Sequence, residues 1–437
     1  MSELVILRPS VEDRLVDGLR EAITRQAQSN SLLTWLRLAS GDMTEDDYYT
    51  LLTARDEITY LTLDTTGSCD LHCPGMCYYH PEIQAKLPQI TFDKVQAAIL
   101  DAQELGMSAL VVGGKEPFLN PVRLFEILNY AGSIKANRFA VGLVTNGRNV
   151  QRHWDNLRQT VAAGSLDFMD VSIDSGYAEQ HDAIRGVPGT YSLASATVRN
   201  AARQFPSVRV GISSVIRCDN QEGLIELLRC MVPEVSNFCF QPIQPPPFST
   251  TLPVRSSEVT SFLSRVGALL TTELADAAIE VMVVLHGPYV SGAVAAGLFD
   301  WKDLEENSEG QIFAKRTLGS STIYYNLMVL PDYGWKQARI NYRGDYLSHA
   351  HFLQTPDPSK FAIGNIQSER LPNLLRKAKE RDQLAFRLLE SRIHHECRER
   401  HCWTSCFGGW TISENDFLKG RSLNLQPSMC LKTPDDF

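Results

Sequence analysis

A regular alternation of strand-like and helix-like segments between residues 58 and 243 most constrains the fold of this chain. Short apolar runs predict six strands, at 58–64, 108–112, 139–147 with its final turn, 168–174, 208–216 and 237–243. Helical periodicity runs from Thr91, a candidate cap, to Leu105, from Pro121 to about Ser133, and from about Val150 to Ala163. This pattern predicts an α/β fold with a parallel sheet, open or closed. Each strand ends in polar or glycine residues on one common face, where we expect the functional site.

A loop with three cysteines follows the first of these strands. Cys69, Cys73 and Cys77 all lie in the segment 64–79. Three thiolates can hold three irons of a four-iron cluster and leave the fourth iron open for chemistry. The alternative is a zinc site completed by His72 or His80, because zinc takes four ligands.

Composition limits the class of protein. The sequence has 437 residues and 10 cysteines and begins Met1-Ser2-Glu3-Leu4, without a basic and apolar signal segment. We therefore expect a cytoplasmic protein with reduced thiols rather than a disulfide framework. No apolar run approaches the roughly 18 residues that span a membrane. The formal net charge of −9 argues against a nucleic-acid partner and would suit a cationic substrate.

Turn motifs at the strand ends resemble those of a known family. Gly-Gly-Lys-Glu-Pro at 113–117 follows the second strand and Thr-Asn-Gly at 145–147 follows the third. Ser172 and Asp174 end the fourth strand, and His-Asp-Ala-Ile-Arg-Gly follows at 181–186. With the cysteine loop, this order resembles the radical S-adenosylmethionine (SAM) superfamily over about half of the chain. The resemblance implies the partial (β/α)6 barrel of that superfamily.

The resemblance also implies the cofactors and their contacts. Cys69, Cys73 and Cys77 would hold a [4Fe-4S] cluster whose open iron is chelated by SAM, and electron transfer from the cluster would give a 5′-deoxyadenosyl radical. The contacts to the methionine amino group would come from Gly113, Gly114 and Glu116, because glycines allow close backbone approach and a carboxylate suits an ammonium. The candidates for the ribose hydroxyls or the methionine carboxylate are Ser172 and Asp174, with capping of the strand as the alternative.

Two departures separate this chain from the usual family pattern. Three residues, 74–76, stand between the second and third cysteines where two are usual, and Lys115 is inserted into the glycine turn. The aromatic residue that usually precedes the third cysteine and packs on adenine is Met76 here, so we expect Tyr78 to take that role. Because Pro-Gly at 74–75 can turn the extra residue outward, the cluster should still form.

Four cysteines near the C-terminus resemble the SPASM and twitch extensions of the superfamily, which carry auxiliary iron–sulfur clusters. They are Cys397, Cys402, Cys406 and Cys430. By this resemblance they close one auxiliary cluster, which would conduct electrons or stabilise structure. Trp410 and His349 stand in cysteine positions of a second, inner cluster, which is therefore expected to be lost. A four-cysteine zinc site is the alternative.

The resemblance divides the chain into three parts. A helical extension at 1–56 precedes the radical SAM barrel at 57–300, and a SPASM/twitch-like auxiliary domain occupies 301–437. The extension is too short and too helical for the winged-helix peptide-binding domain of many peptide-modifying relatives, which favours a small-molecule substrate. Three further cysteines are expected to be core residues on strands or helices: Cys218, Cys230 and Cys239.

The spacing of the cysteine loop and the single auxiliary cluster resemble the radical SAM dehydratases of the apramycin pathway, which act on aminoglycosides such as paromamine. This implies hydrogen abstraction from C4′, loss of the 3′-hydroxyl as water, and addition of an electron and a proton to give a 4′-ketone, 4′-oxolividamine. The implied partners are the aminoglycoside, an electron donor of flavodoxin or ferredoxin type, and an NADPH-dependent reductase that acts next. Candidates for the required proton donor are Tyr78, Tyr79 and His80. The alternative is a maturase that crosslinks a precursor peptide, which tight peptide binding would indicate.

Overall fold

The computed structural model describes residues 58–74, 77, 89–136, 138–243, 254–307, 311–328, 337–347, 359 and 362–390. Several predictions from the sequence fall outside these residues. They are the helical extension at 1–56, the proton-donor candidates Tyr78, Tyr79 and His80, the residues Met76, His349 and Trp410, and the auxiliary ligands Cys397, Cys402, Cys406 and Cys430. Within the described part of the chain, no helix is long and apolar enough to cross a membrane.

The described residues form thirteen strands and nine α-helices. The strands are β1 (Tyr60–Asp64), β2 (Ala109–Gly113), β3 (Ala140–Thr145), β4 (Phe168–Ser172), β5 (Arg209–Ile216), β6 (Asn237–Pro242), β7 (Glu280–His286), β8 (Leu304–Glu306), β9 (Ile312–Leu318), β10 (Ser321–Met328), β11 (Gln337–Ile340), β12 (Asp345–Leu347) and β13 (Gly364–Asn365). The helices are α1 (Phe92–Glu104), α2 (Pro121–Ile134), α3 (Trp154–Ala162), α4 (Ala178–Arg185), α5 (Thr190–Gln204), α6 (Gln221–Met231), α7 (Ser256–Thr271), α8 (Gly287–Ala295) and α9 (Leu371–Glu390).

One sheet contains all thirteen of these strands, in the order β13-β12-β11-β1-β2-β3-β4-β5-β6-β7-β10-β9-β8. The strands β1 to β7 are parallel neighbours in chain order, which confirms the predicted α/β fold and its parallel sheet. Beyond them, β11 pairs in parallel with β1 and β10 pairs in parallel with β7. The sequence did not predict these additional strands, which come from the chain after residue 300. The division into domains at that residue stays a prediction.

The two faces of the sheet differ in burial. On one face, alternate residues such as Leu61, Val112 and Val171 are fully buried in the apolar core that the sheet forms with its helices. The residues between them on the other face, such as Thr62 and Ser172, are half-buried. We call this second surface the inner face. Because several of its residues keep partial exposure, this face is where we expect a ligand beside the carboxyl ends of the strands.

Local details bear on two of the sequence predictions. Thr91 is the N-cap residue of α1, as predicted, although its side chain makes no capping hydrogen bond. Cys218 is exposed on the turn after β5, because the strand ends two residues earlier, and the prediction of a core residue is wrong there. Cys230 in α6 and Cys239 in β6 are half-buried.

Candidate cofactor site at the carboxyl ends of the strands

The first residues of the cysteine loop form backbone hydrogen bonds with the turn after β2. The Thr65 N–H donates to the Gly113 carbonyl at 3.0 Å, and the Glu116 N–H donates to the Ser68 carbonyl at 3.0 Å. The Asn120 side chain donates to the Thr65 carbonyl at 3.0 Å. The loop that carries the cysteines is therefore fixed against the glycine turn before the first cysteine is reached.

The two glycines of this turn have different surroundings. Gly114 has φ +114°, and a Cβ there would lie 3.0 Å from the Thr66 carbonyl oxygen and 3.2 Å from the Thr65 nitrogen. Only glycine fits such a conformation and such a close approach. A Cβ on Gly113 would meet no atom within 4 Å, so this glycine borders open space in which a ligand could approach the backbone.

Glu116 joins the turn after β2 to the end of β3. Its side chain is fully buried, and its Oε1 accepts from the Thr145 hydroxyl at 2.8 Å and the Phe118 N–H at 3.1 Å. Its Oε2 accepts from the Asn146 N–H at 2.8 Å. Burial raises the pKa of Glu116 to about 7, although these hydrogen bonds act in the opposite direction. The Glu116 carboxyl thus links the two turns through its hydrogen bonds. Its contact with the amino group of the methionine part of SAM stays a prediction.

The three loop cysteines are half-buried free thiols. Burial raises the pKa of Cys69 to about 12, and the charges of Glu116 and Cys73 add to the effect. Burial also raises the pKa of Cys73, to which the charge of Cys77 contributes while Arg185 opposes it. The three sulfurs are therefore close enough for the charge of one to influence the next. Among the described residues, no three Cys, His, Asp or Glu side chains are arranged around a single metal ion.

Two cations lie beside these thiols. One of them is Lys115, the residue inserted into the glycine turn. Burial lowers the pKa of its ammonium, and the charges of Cys77 and Cys69 partly offset this shift. The Arg185 side chain is only 12% exposed. Burial opposes its charge, but Asp174 and Cys73 keep the pKa of Arg185 above its ordinary value. Cations near the sulfurs offset the negative charge of a thiolate-ligated cluster, so the donor set and its surroundings fit such a cluster.

Asp174 holds Arg185 in this place. Its Oδ2 lies 2.6 Å from the Arg185 Nε, and its Oδ1 accepts from the Val215 N–H at 2.9 Å. The Asp174 N–H donates to Nδ1 of the buried His181 at 3.0 Å. These contacts favour the strand-end capping role for Asp174 that the sequence left open beside a SAM contact. Ser172 is half-buried on the inner face at the end of β4.

The end of α4 supports the cysteine loop from another side. The His72 N–H donates to the Arg185 carbonyl at 3.2 Å. Gly186 terminates the helix with φ +72°, and a Cβ there would lie 2.2 Å from the His72 carbonyl oxygen. Burial lowers the pKa of His181 to about 4, so this helix presents a neutral imidazole to the Asp174 backbone.

Two aspartates of this region were not predicted from the sequence as site residues. Asp70 receives three side-chain donors from the turn after β3, at 2.9 to 3.0 Å. Asp170 lies on the inner face of β4, where burial raises the pKa of its carboxyl and Arg209 opposes the shift. A Cβ on Gly211 of the next strand would lie 2.5 Å from the Asp170 Oδ1, so that glycine provides the space for the carboxyl. No single-sequence signal marks either residue, because both contacts join segments far apart in the chain.

Comparison with known proteins identifies the domain that this site belongs to. Residues 63–231 match the sequence profile of the Radical SAM superfamily. Residues 63–231 form a radical SAM domain. The predicted resemblance to this superfamily is therefore confirmed over these residues, and so is the partial barrel. Members of the superfamily use a [4Fe-4S] cluster and SAM. The SPASM/twitch extension and its second cluster stay predictions.

Relatives with curated names match this radical SAM domain over part of their length. Pre-heme d1 synthase of Dinoroseobacter shibae is 29% identical over 165 residues, 38% of this chain and 38% of the relative. AdoMet-dependent heme synthase of Methanosarcina barkeri is 30% identical over 128 residues, 29% of this chain and 34% of the relative. The chain thus aligns with little more than a third of either relative. The crystal structure of Streptococcus suis SuiB shares the fold, with a TM-score of 0.62 at 13% identity, covering 95% of this chain and 86% of SuiB.

Proposed function

We propose that this chain is a radical SAM dehydratase, a lyase that removes water from a 1,2-diol of an aminoglycoside in antibiotic biosynthesis. Paromamine and 4′-oxolividamine are the proposed substrate and product. The radical SAM domain supports the chemistry, and the spacing of Cys69, Cys73 and Cys77 supports the reaction class. The proposed partners are an electron donor of flavodoxin or ferredoxin type and an NADPH-dependent reductase, in the cytoplasm.

The inner face of the sheet carries the proposal for the substrate. One row of residues crosses the sheet in register, and all of its members are half-buried. The row consists of Ser172, Ser213, Cys239, Met282 and Tyr324. These side chains offer hydroxyl and sulfur groups and no formal charge. Such a surface suits the neutral hydroxyl groups of a sugar ring, which need hydrogen-bond partners when they leave water.

The proposed dehydration needs a proton donor for the leaving hydroxyl. Asp170 lies two residues before Ser172 on the same face, and burial raises the pKa of its carboxyl. A carboxylic acid that keeps its proton can donate it to the departing oxygen, and the resulting carboxylate can take the proton of the neighbouring hydroxyl. Asp170 therefore joins Tyr78, Tyr79 and His80 as a candidate for this role.

The proposed cofactor ligands follow from the same region. Cys69, Cys73 and Cys77 would hold a [4Fe-4S] cluster, and with SAM this cluster supplies a 5′-deoxyadenosyl radical when bound. The open space beside Gly113 would admit the methionine part of SAM, and the ammonium of Lys115 would balance negative charge there. A second cluster would be held by the four C-terminal ligands: Cys397, Cys402, Cys406 and Cys430.

An anaerobic assay tests the substrate. Reconstituted protein is incubated with SAM, a reductant and paromamine deuterated at C4′ or at C3′, and the products are read by mass spectrometry. We expect deuterium in 5′-deoxyadenosine only from the C4′-labelled substrate, with one SAM consumed per turnover. Cys69→Ala should abolish the product, whereas Cys218→Ala, which changes an exposed cysteine outside the loop, should not. If paromamine and related aminoglycosides fail to raise 5′-deoxyadenosine above the uncoupled background, the dehydratase proposal is rejected.

The curated relatives favour a second candidate, modification of a tetrapyrrole, because both of them carry names of heme synthases. The same assay with a tetrapyrrole in place of paromamine separates the two candidates. Formation of 5′-deoxyadenosine that depends on the tetrapyrrole and not on the aminoglycoside would select the second one.

Metal analysis tests the proposed clusters. The chain should bind about eight irons in two four-iron clusters. A variant in which Cys69, Cys73 and Cys77 are all replaced by alanine should keep about four irons. Zinc without iron in that variant would reject the auxiliary cluster and select the zinc alternative.

A further inference from the structure

Asp70 stands between the first two cysteines of the loop and is bound by the turn after β3. Its Oδ1 accepts from the Asn146 Nδ2 at 2.9 Å. Its Oδ2 accepts from the Arg148 Nη1 at 3.0 Å and from the Asn149 Nδ2 at 2.9 Å. Arg148 Nη1 also donates to the Asp70 carbonyl at 2.9 Å. We call Asp70 and these three donor residues the Asp70 clasp.

The clasp reaches a cysteine sulfur as well as the aspartate. The Asn146 Nδ2 lies 4.0 Å from the Cys69 Sγ, which also accepts from the Leu71 N–H at 3.4 Å. The orientation of Cys69 is therefore coupled to the same amide that binds Asp70. Hydrogen bonds to ligand sulfurs both orient the ligands of a cluster and influence its properties.

The clasp is anchored to the rest of the barrel through Asn146. Its backbone N–H donates to the fully buried carboxyl of Glu116 at 2.8 Å, while its side chain binds Asp70. One residue thus connects the turns after β2 and β3 with the cysteine loop. The Asp70 and Arg148 side chains are only 25% and 21% exposed, so their ion pair is less screened by water than a pair on an open surface.

We propose that Asp70 is a positioning residue and that the clasp holds Cys69 and Cys73 in place before a cluster binds. The inference rests on the proposed role of these cysteines as ligands, but the order of the loop itself does not depend on the cluster. Without the clasp, the part of the loop around Cys69 would sample more conformations, and the cluster would have to offset the entropy of ordering it.

Two measurements test the clasp with the full-length protein. The first is amide hydrogen exchange of the 64–74 segment in the protein without cluster. The second is the rate at which a chelator removes iron from the reconstituted protein. We expect Arg148→Met and Asp70→Ala each to accelerate both rates by about ten-fold, the factor for one charge-assisted hydrogen bond. The double variant should accelerate both rates by less than the product of the two single effects, because both single variants remove the Asp70–Arg148 ion pair, whereas Asn146 and Asn149 lose their acceptor only when Asp70 is replaced.

The chain offers a matched control. Arg158 and Asp155 form an ion pair with the same 3.0 Å distance on exposed helix surface, so Arg158→Met should change neither rate. Arg148→Lys keeps the charge but loses the planar fork, and should restore part of the protection. Thermal unfolding followed by circular dichroism confirms that each variant is folded.

The outcomes separate the two proposals. Unchanged exchange of the 64–74 segment in folded Arg148→Met would reject the clasp, whatever the metal content. Accelerated exchange without accelerated iron loss would also reject it, because ordering the loop would then not serve the ligands. If the unaltered protein binds no iron, the proposed function fails and the positioning role fails with it, while the exchange result still reports on the order of the loop.

Discussion

Replacing the buried carboxyl of Glu116 should remove a specific part of the pH dependence of stability. The side chain is fully buried, and its pKa stands at about 7 against an ordinary value of 4.5. The substitution Glu116→Gln keeps a carbonyl oxygen for the Thr145 hydroxyl but cannot titrate. The new side-chain NH2 group faces the Asn146 N–H, so two donors meet and one hydrogen bond is lost. The variant should therefore be less stable at every pH. The informative quantity is therefore the change with pH.

The direction and magnitude follow from proton binding. Because its pKa is raised on folding, Glu116 holds a proton more tightly in the folded protein than in the unfolded chain. Its contribution to stability is therefore fully present below about pH 4.5 and is lost as the pH rises to about 7. The difference between the two pKa values corresponds to about 3 kcal/mol at about 1.36 kcal/mol per pH unit.

Urea denaturation of the protein without cluster, at pH 5 and at pH 8, measures this term. We expect the unfolding free energy of the unaltered protein to fall between these values by about 2 to 3 kcal/mol more than that of Glu116→Gln. Glu222→Gln is the control, because its side chain is 72% exposed in an ion pair with Arg265, and it should keep the original dependence. Equal pH dependence in Glu116→Gln and the unaltered protein would refute the reasoning.

Three further predictions concern single positions. Arg185→Met leaves the buried Asp174 carboxylate without its cation and should lower the unfolding free energy by about 3 to 5 kcal/mol, measured by urea denaturation; a loss below 1 kcal/mol would contradict a buried pair. Gly114→Ala should cost at least about 1 kcal/mol in the same measurement, because of its positive φ and the close Thr66 carbonyl. Cys218 is exposed, so brief treatment with iodoacetamide should label it before the half-buried cysteines of the described residues, as read by mass spectrometry, and a slower reaction there would contradict its position.

The regular part of the fold was predictable because it depends on local patterns. The apolar runs predicted β1 to β6 to within a few residues, and the order of these strands follows from the alternation with helices. The pairing of β11 with β1 was not predictable, because no local signal selects a partner strand so distant in sequence. Short strands of four residues also give little periodicity to read.

The same contrast holds in the site. The cysteines and the glycine turn were visible because their chemistry demands particular residue types at fixed spacing. The position of Asp174 at the strand end was predicted, but its ion pair with Arg185 was not, because a carboxylate in a motif does not reveal its partner. The role of Asp70 was also not predictable, because the residues that bind its side chain lie more than 70 positions further along the chain.

The strands that flank β1 and β7 have a consequence for the integrity of the parallel sheet. Both flanking strands, β11 and β10, are supplied by the chain after residue 300. A protein shortened at that residue would leave two rows of unpaired backbone amides and carbonyls, one of them on the strand that carries the cysteine loop. Exposed rows of this kind invite pairing between molecules. The catalytic half of the sheet is therefore enclosed on both sides by the C-terminal part of the same chain, and the two should fold as one cooperative unit.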